Sequence, residues 1–215
     1  VVMKRALVQQ IGKPQEVYDN PANLFVAKFL GVPPINVFKG EVIKNKLYID
    51  GKEIMPFKGV EKSYENSVVT LKEKIAYFIE NARDVEKAKY AAAAESGDTS
   101  GLDEFEDSIF LELLDQQKKL NAAIEAKVYN VYVGIRPEGF ILDDKGNFPL
   151  ELDKVEVMGR DISLICKSPA AQSPTVRAII SSDFKVSEET KEVRFNLKPH
   201  KVFVFNGETE ERILG

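Results

Sequence analysis

Enzymatic chemistry needs nucleophiles, proton carriers or metal ligands in company, and this sequence supplies few. His200 is the only histidine and Cys166 the only cysteine. One imidazole excludes a multi-histidine metal site, and any histidine-dependent triad would hang on that residue alone. His200 follows Pro199 at the start of an expected strand, which suits a half-exposed surface residue. Cys166 closes the apolar run Ile162-Ser163-Leu164-Ile165-Cys166, where a thiol reads as a small buried hydrophobe rather than a nucleophile. Asp103, Glu104, Glu106 and Asp107 surround Phe105. Together they could attract a cation or a basic partner. They lack the glycine and spacing of a calcium loop, and acidic side chains are favourable at a helix N-terminus. A phosphate-cradling loop requires the pattern GxxxxGK[ST], so that backbone N–H groups and a lysine converge on the phosphates. Lys39-Gly40 and Lys58-Gly59 have neither the spacing nor the hydroxyl. Lys167-Ser168 and Ser181-Ser182 are the pairs that hint at an oxyanion site. Arg136 and Glu138, flanking Pro137, could contact a ligand or partner; a structural ion pair fixing a turn is the plainer reading.

The 215 residues can form one large domain or two small ones with ample core. Hydrophobic residues make up 44% and charged residues 30%, as in ordinary globular proteins. A formal net charge of -4 argues against a nucleic-acid binder, which is usually basic. Phe203 and Phe205 share one strand face and Tyr129 lies on another strand. No basic stripe accompanies them, so they read as core rather than as a stacking platform. No apolar run approaches the roughly 18 residues that span a bilayer. Val1-Val2-Met3 leads into Lys4-Arg5 rather than an apolar signal segment, and the opening Val-Val suggests the middle of a strand in an excised fragment. One cysteine rules out an intramolecular disulfide and fits a reducing compartment.

The elements that position these residues can be read from punctuation and period. Residues 1 to 11 are strand material. Pro14 suits the first position of a helix. Asn20-Pro21 is a cap-plus-Pro start for a second helix, with Ala22, Phe25, Val26 and Phe29 as its apolar stripe, Gly31 as its left-handed stop, and Pro33 and Pro34 beyond. Short strands follow at Val37-Phe38, Glu41 to Ile43 and Leu47 to Ile49, with turns at Asn45-Lys46 and Asp50-Gly51. Residues 57 to 127 differ in kind. Tyr64, Val68, Leu71, Ile75, Phe78, Ala82 and Val85 form a heptad-like seam on one long helix. Ser96 to Gly101 breaks it, and Leu102, Phe105, Ile109, Leu113, Leu120 and Ile124 form a second seam, giving an antiparallel helical hairpin. Strands resume at Val128 to Ile135, and then at Val155 to Val157, Ile162 to Cys166, Thr175 to Ile180, Glu192 to Leu197 and Val202 to Phe205. Many short strands at this spacing indicate a small barrel or paired barrels.

Three stretches carry a family resemblance. Gly12 to Gly31, GKPQEVYDNPANLFVAKFLG, closely resembles the segment that closes the ATPase domain in ATP-binding subunits of ABC sugar importers of the maltose and glycerol-phosphate type. Gly134, Ile135, Arg136, Pro137 and Glu138 match residue for residue a motif of that family's C-terminal regulatory domain. The third stretch runs from Val155-Glu156-Val157 through Pro174 to Leu214. It includes Pro199-His200-Lys201-Val202-Phe203-Val204-Phe205 and the Gly207-Glu208-Thr209 turn, with Phe203 where a histidine often stands. Gly159-Arg160-Asp161 departs from the usual Leu-Gly-x-Glu, and the helical segment before the motif is far longer than in the family.

The resemblance implies a mainly β fold with α: an OB-like β-barrel regulatory domain (TOBE/MOP-type) with an inserted α-helical hairpin. Residues 1–31 would be the end of the ATPase domain, and residues 32–215 the regulatory domain with its insertion at 57–127. It implies a dimerisation and regulatory role without catalysis, with no catalytic, cofactor or metal residue in this chain. ATP and Mg would belong to a preceding domain, whose Walker, signature and switch-histidine motifs are absent here. The implied partners are a second copy of the subunit in a homodimer, membrane permease subunits through that domain, and a regulatory protein, with no nucleic acid. The implied location is cytoplasmic, peripheral on the inner face of the cell membrane. The alternative is an oxyanion-type small-ligand binding module of a related ABC transporter. A third reading, an independent single-strand nucleic-acid binder, is disfavoured by the charge.

Overall fold

The computed structural model describes residues 1–184, 187 and 190–215, which divide into two compact units. One comprises Val1–Val60 with Tyr129–Gly215, the other Glu61–Val128.

The first unit opens with a hairpin of β1 (Val2–Lys4) and β2 (Leu7–Gln10), turned by Arg5 and Ala6, both at positive φ. Helix α1 (Pro14–Asp19) begins at its proline as expected, and Glu16 accepts a hydrogen bond from the Lys13 N–H at 3.2 Å. Helix α2 (Leu24–Phe29) starts later than the Asn20-Pro21 pair suggests. Its cap is Asn23, whose side chain accepts from the Val26 N–H at 2.9 Å. The delay has a cause in the backbone. The Ala22 carbonyl accepts from Arg212, and the Leu24 N–H donates to the Glu210 carbonyl, so residues 22–24 are already paired to the far end of the chain. The buried face is therefore Leu24, Val26 and Ala27, while Phe29 is 60% exposed.

Two sheets follow. In the first, β3 (Asn36–Ile43), β4 (Lys46–Ile49), β5 (Lys52–Pro56), β6 (Val128–Ile135), β12 (Val202–Asn206) and β13 (Arg212–Ile213) lie in the order β13-β12-β6-β3-β4-β5. Asp50-Gly51 turns β4 into β5 as its sequence predicts. The preceding turn is Lys44-Asn45, one residue earlier than expected. In the second, β7 (Phe140–Leu142), β8 (Phe148–Met158), β9 (Asp161–Lys167), β10 (Val176–Ser181) and β11 (Glu192–Leu197) take the order β10-β9-β8-β11-β7 and curl into a nearly closed barrel. The OB-like barrel is thus present. Its interior packs Phe140 edge-on against Phe195, with ring centroids 5.1 Å apart, and Phe38 of β3 meets Phe148 at 5.2 Å.

Asn36 joins the two sheets. Its amide nitrogen donates to the carbonyls of Ile135 (3.1 Å) and Arg177 (2.9 Å), and its oxygen accepts from the Arg177 N–H at 2.8 Å. A buried side chain thus supplies the hydrogen bonds a further strand would make. A Cβ at Gly134 would stand 2.8 Å from Ile35 Cδ1 and 3.2 Å from Phe205 Cε2, so a side chain there would require those neighbours to shift.

The second unit corrects the expected hairpin. It holds three helices, α3 (Val60–Glu80), α4 (Asp84–Ser96) and α5 (Ser108–Ala126). The first seam is real through Tyr64, Val68, Leu71 and Ile75, all buried, and Phe78, which packs against Tyr90 and Phe110. It ends there because the chain breaks at residues 81–83, where Asn81 turns its side chain back onto the Tyr77 carbonyl and Arg83 is extended. Val85 is accordingly 83% exposed. The second seam begins six residues late. Asp103 accepts hydrogen bonds from the N–H groups of Phe105 and Glu106, which ties the segment into a turn. Phe105 is left 90% and Ile109 65% exposed, and Phe110, Leu120 and Ala123 form the buried face instead.

Asp107 stands at the N-terminus of α5, as the acidic cluster suggests, but it is not exposed there. It is buried, held by Lys89 Nζ (2.8 Å), the Tyr90 hydroxyl (2.5 Å) and the Asp103 N–H (2.8 Å). The Lys89 and Tyr90 bonds bring its pKa from 3.8 down to about 2. Because the folded carboxyl titrates below the unfolded one, its contribution is complete above the ordinary carboxylate range. It is lost as pH falls towards 2. Far-ultraviolet circular dichroism should show the helices losing stability between pH 4 and 2, and Asp107→Asn should remove that component while lowering the melting temperature at neutral pH. Asn36→Ala should cost about 2–3 kcal/mol, because it leaves polar backbone groups of both sheets without partners. A urea titration would show this as a lower midpoint at unchanged slope.

Candidate functional site

Strand β6 ends at Ile135, and Pro137 opens a short 3-10 helix, Pro137–Gly139. The proline holds Arg136 in an extended conformation (φ −64°, ψ 146°), as its ring requires of the residue before it. That geometry carries the arginine side chain into the protein, where it is the largest fully buried side chain among the described residues.

The guanidinium is bound by backbone. Nη1 donates to the carbonyls of Ala27 (3.0 Å) and Leu30 (2.7 Å), and Nη2 to that of Tyr18 (2.8 Å). Its carbon lies 3.8 Å from the centroid of the Tyr18 ring, a cation–π contact. These carbonyls are the end groups of α1 and α2, the negative poles of the two helix dipoles, so the cation neutralises both. Burial pulls the Arg136 pKa down, and Tyr18, Glu138 and Asp19 pull against it. Gly31, expected as the helix stop, has another task. The helix already ends at Phe29, with Leu30 extended. Gly31 sits at φ +118°, where a Cβ would come within 3.1 Å of the Tyr18 ring and 3.3 Å of Arg136 Nη1.

Glu138 does not pair with Arg136 as the sequence suggests. Its carboxylate accepts from the Tyr18 hydroxyl at 3.0 Å and lies 3.4 Å from Lys201 Nζ, which also reaches Asp19 at 3.2 Å. Burial, reinforced by the bond to Glu138, pushes the Tyr18 phenol up to about 12. Bonds from Gln15 and Lys201 hold the Asp19 carboxyl below its ordinary value. The backbone completes the joint. The Arg136 N–H donates to the Lys201 carbonyl, the Lys198 N–H to that of Gly139, and Lys198 Nζ to that of Glu138. Gly134, Ile135, Arg136, Pro137 and Glu138 therefore lie at a junction between the barrel side of the chain and residues 14–31. The arrangement is mechanical, a clamp rather than an acid–base pair.

The remaining candidates are not brought to this junction as reactive groups. His200 is exposed in the 3-10 helix Pro199–Lys201. Cys166 is buried, and desolvation lifts its thiol to about 12, which makes it inert. Tyr129, Phe203 and Phe205 are core residues. Ser181 bonds to Asp183. Gly40 lies within β3, and Gly59 immediately precedes α3. Among the described residues no three His, Cys, Asp or Glu side chains are grouped to hold a metal ion. No local spacing announces Tyr18, Asp19 or Lys201, because the Tyr18–Glu138 and Asp19–Lys201 contacts join residues more than a hundred positions apart.

Arg136→Lys retains the charge but cannot reach three carbonyls in two directions, and Arg136→Met leaves all three without a donor. Destabilisation of about 3 kcal/mol is expected for the methionine variant and less for the lysine. Amide exchange in residues 17–31 should accelerate beyond that of the barrel, which distinguishes an opened clamp from uniform unfolding.

No protein-family model matches the chain. Part of it is 38% identical over 73 residues to the sn-glycerol-3-phosphate import ATP-binding protein UgpC of Shigella sonnei (strain Ss046), covering 33% of this chain and 20% of that protein. The UgpC of Jannaschia sp. (strain CCS1) is 39% identical over 57 residues, 26% of this chain and 16% of the relative. The trehalose/maltose import ATP-binding protein MalK of Thermococcus litoralis (strain ATCC 51850 / DSM 5473 / JCM 8560 / NS-C) is 49% identical over 49 residues, 23% of this chain and 13% of the relative. The matched part thus spans 13% to 20% of the length of these curated relatives. Over that part the chain is homologous to the C-terminal region of ATP-binding subunits of ABC sugar importers.

Proposed function

We propose that this chain is the regulatory and dimerisation region of the ATP-binding subunit of an ABC importer for sugars or sugar-like solutes, and that it performs no catalysis itself. The carrying observation is the Arg136 clamp. It fastens the helices of residues 14–30, the stretch that resembles the close of an ATPase domain, to the sheet and barrel that follow. A buried cation shared by three carbonyls resists shear, so a displacement of those helices would move the barrel with them. In the proposed subunit, barrels of two copies stay in contact while the ATPase halves open and close. ATP and Mg belong to a domain outside these residues. The permease subunits are reached through that domain, which places the assembly on the inner face of the membrane. Among the described residues no helix is long and apolar enough to cross a membrane. The three-helix unit, the part furthest from the family pattern, is where a regulatory protein would be read.

Sedimentation velocity and light scattering on the purified chain test the contact. A weight-average mass that rises with concentration towards a dimer is expected, and a strict monomer at high concentration overturns the dimerisation role. ATP turnover at the rate of an intact importer would overturn the non-catalytic reading.

A further inference from the structure

The turn between β4 and β5, the first half of β8, the end of β9 and the start of β11 border an open cleft of about 690 Å³ within the first unit. Its size is that of a small-molecule site. Ile49 and Leu150 form part of its apolar lining, together with Pro149, Pro169 and Pro174, whose rings present CH surfaces with little conformational freedom to lose.

The charged lining has both signs. Lys167 is held by Asp153, and Glu192 by Arg194. That leaves Lys52 and Lys191 against Asp50 and Glu151, none of which makes an ion pair among the described residues. Two ammonium groups donate and two carboxylates accept, around walls of CH groups. A free oxyanion would meet the carboxylates as repulsion, and a metal cation would meet the lysines in the same way. The Lys167-Ser168 pair is a poor oxyanion anchor for a further reason, since its ammonium is already neutralised. A hydroxyl group satisfies both kinds of lining at once, because it donates to a carboxylate and accepts from an ammonium. Several hydroxyls on an apolar ring frame match the cleft in sign, size and wall chemistry.

We infer that this cleft binds a neutral, polyhydroxylated small molecule of carbohydrate type, with Asp50 and Glu151 accepting from its hydroxyls and Lys52 and Lys191 donating to them. The proposal does not depend on the importer assignment, since every group it uses lies in this chain.

Nitrogen-15 chemical-shift titration of the whole chain tests it, with sucrose, maltose and myo-inositol as probes and inorganic phosphate as the anionic control. At least one of the three should give saturable shifts at the amides of Asp50, Glu151 and Lys167, while phosphate leaves them unmoved. Glu151→Gln and Lys52→Met, both at exposed positions, should keep the wild-type melting temperature and weaken that binding by about tenfold each. The inference is overturned by the absence of saturable shifts with all three probes, by shifts mapping elsewhere, by phosphate taking their place in the cleft, or by unchanged affinity in both variants.

Discussion

A guanidinium withdrawn entirely from water organises the first unit. Leaving water is costly for any cation, and Arg136 recovers the loss through three short carbonyl contacts and the face of Tyr18. The other features of the junction serve that cation. Pro137 sets its backbone, Gly31 leaves space beside it, and the turn at residues 198–201 anchors its N–H. Glu138 is free to hold Tyr18 and Lys201 because both terminal nitrogens of the arginine are taken by backbone carbonyls. An Arg136–Glu138 ion pair would have stabilised one turn. The observed arrangement ties that turn to the ends of two helices that come more than a hundred residues earlier.

The barrel and the helical unit solve their polar burial differently. In the first unit an amide, Asn36, connects two sheets without any charge. In the second, a carboxylate sits against a lysine and a tyrosine on the neighbouring helix. Both satisfy the rule that a buried polar atom must find a partner. Only the second depends on protonation, so acid reaches the helical unit through a route the Asn36 bridge does not offer.

Much of this fold is legible in the sequence where local rules decide. The alternation of Val128 to Ile135 and the apolar run into Cys166 give β6 and β9 nearly residue for residue, and Asp50-Gly51 marks its own turn. Local rules fail where distant backbone competes. Asn20-Pro21 is a good helix start, but residues 22–24 are engaged by residues 210–212, so Asn23 caps instead. The break at residues 81–83 contains neither glycine nor proline, and a heptad pattern runs through it without a visible gap. The site was half legible. Gly134 to Glu138 stands out as a motif, but side-chain spacing suggests a pairing between Arg136 and Glu138, and the true acceptors are carbonyls that no residue type announces.

The Asn36 bridge depends on a single side-chain amide nitrogen. Asparagine side chains hydrolyse slowly to aspartate, a change of one unit of charge and almost no volume. At this position the product could still accept from the Arg177 N–H, but it would turn a second oxygen towards the carbonyls of Ile135 and Arg177, where a donor had been. A buried anion facing two acceptors would favour parting of the sheets. The packing that excludes water from the amide therefore keeps the two sheets in register over time.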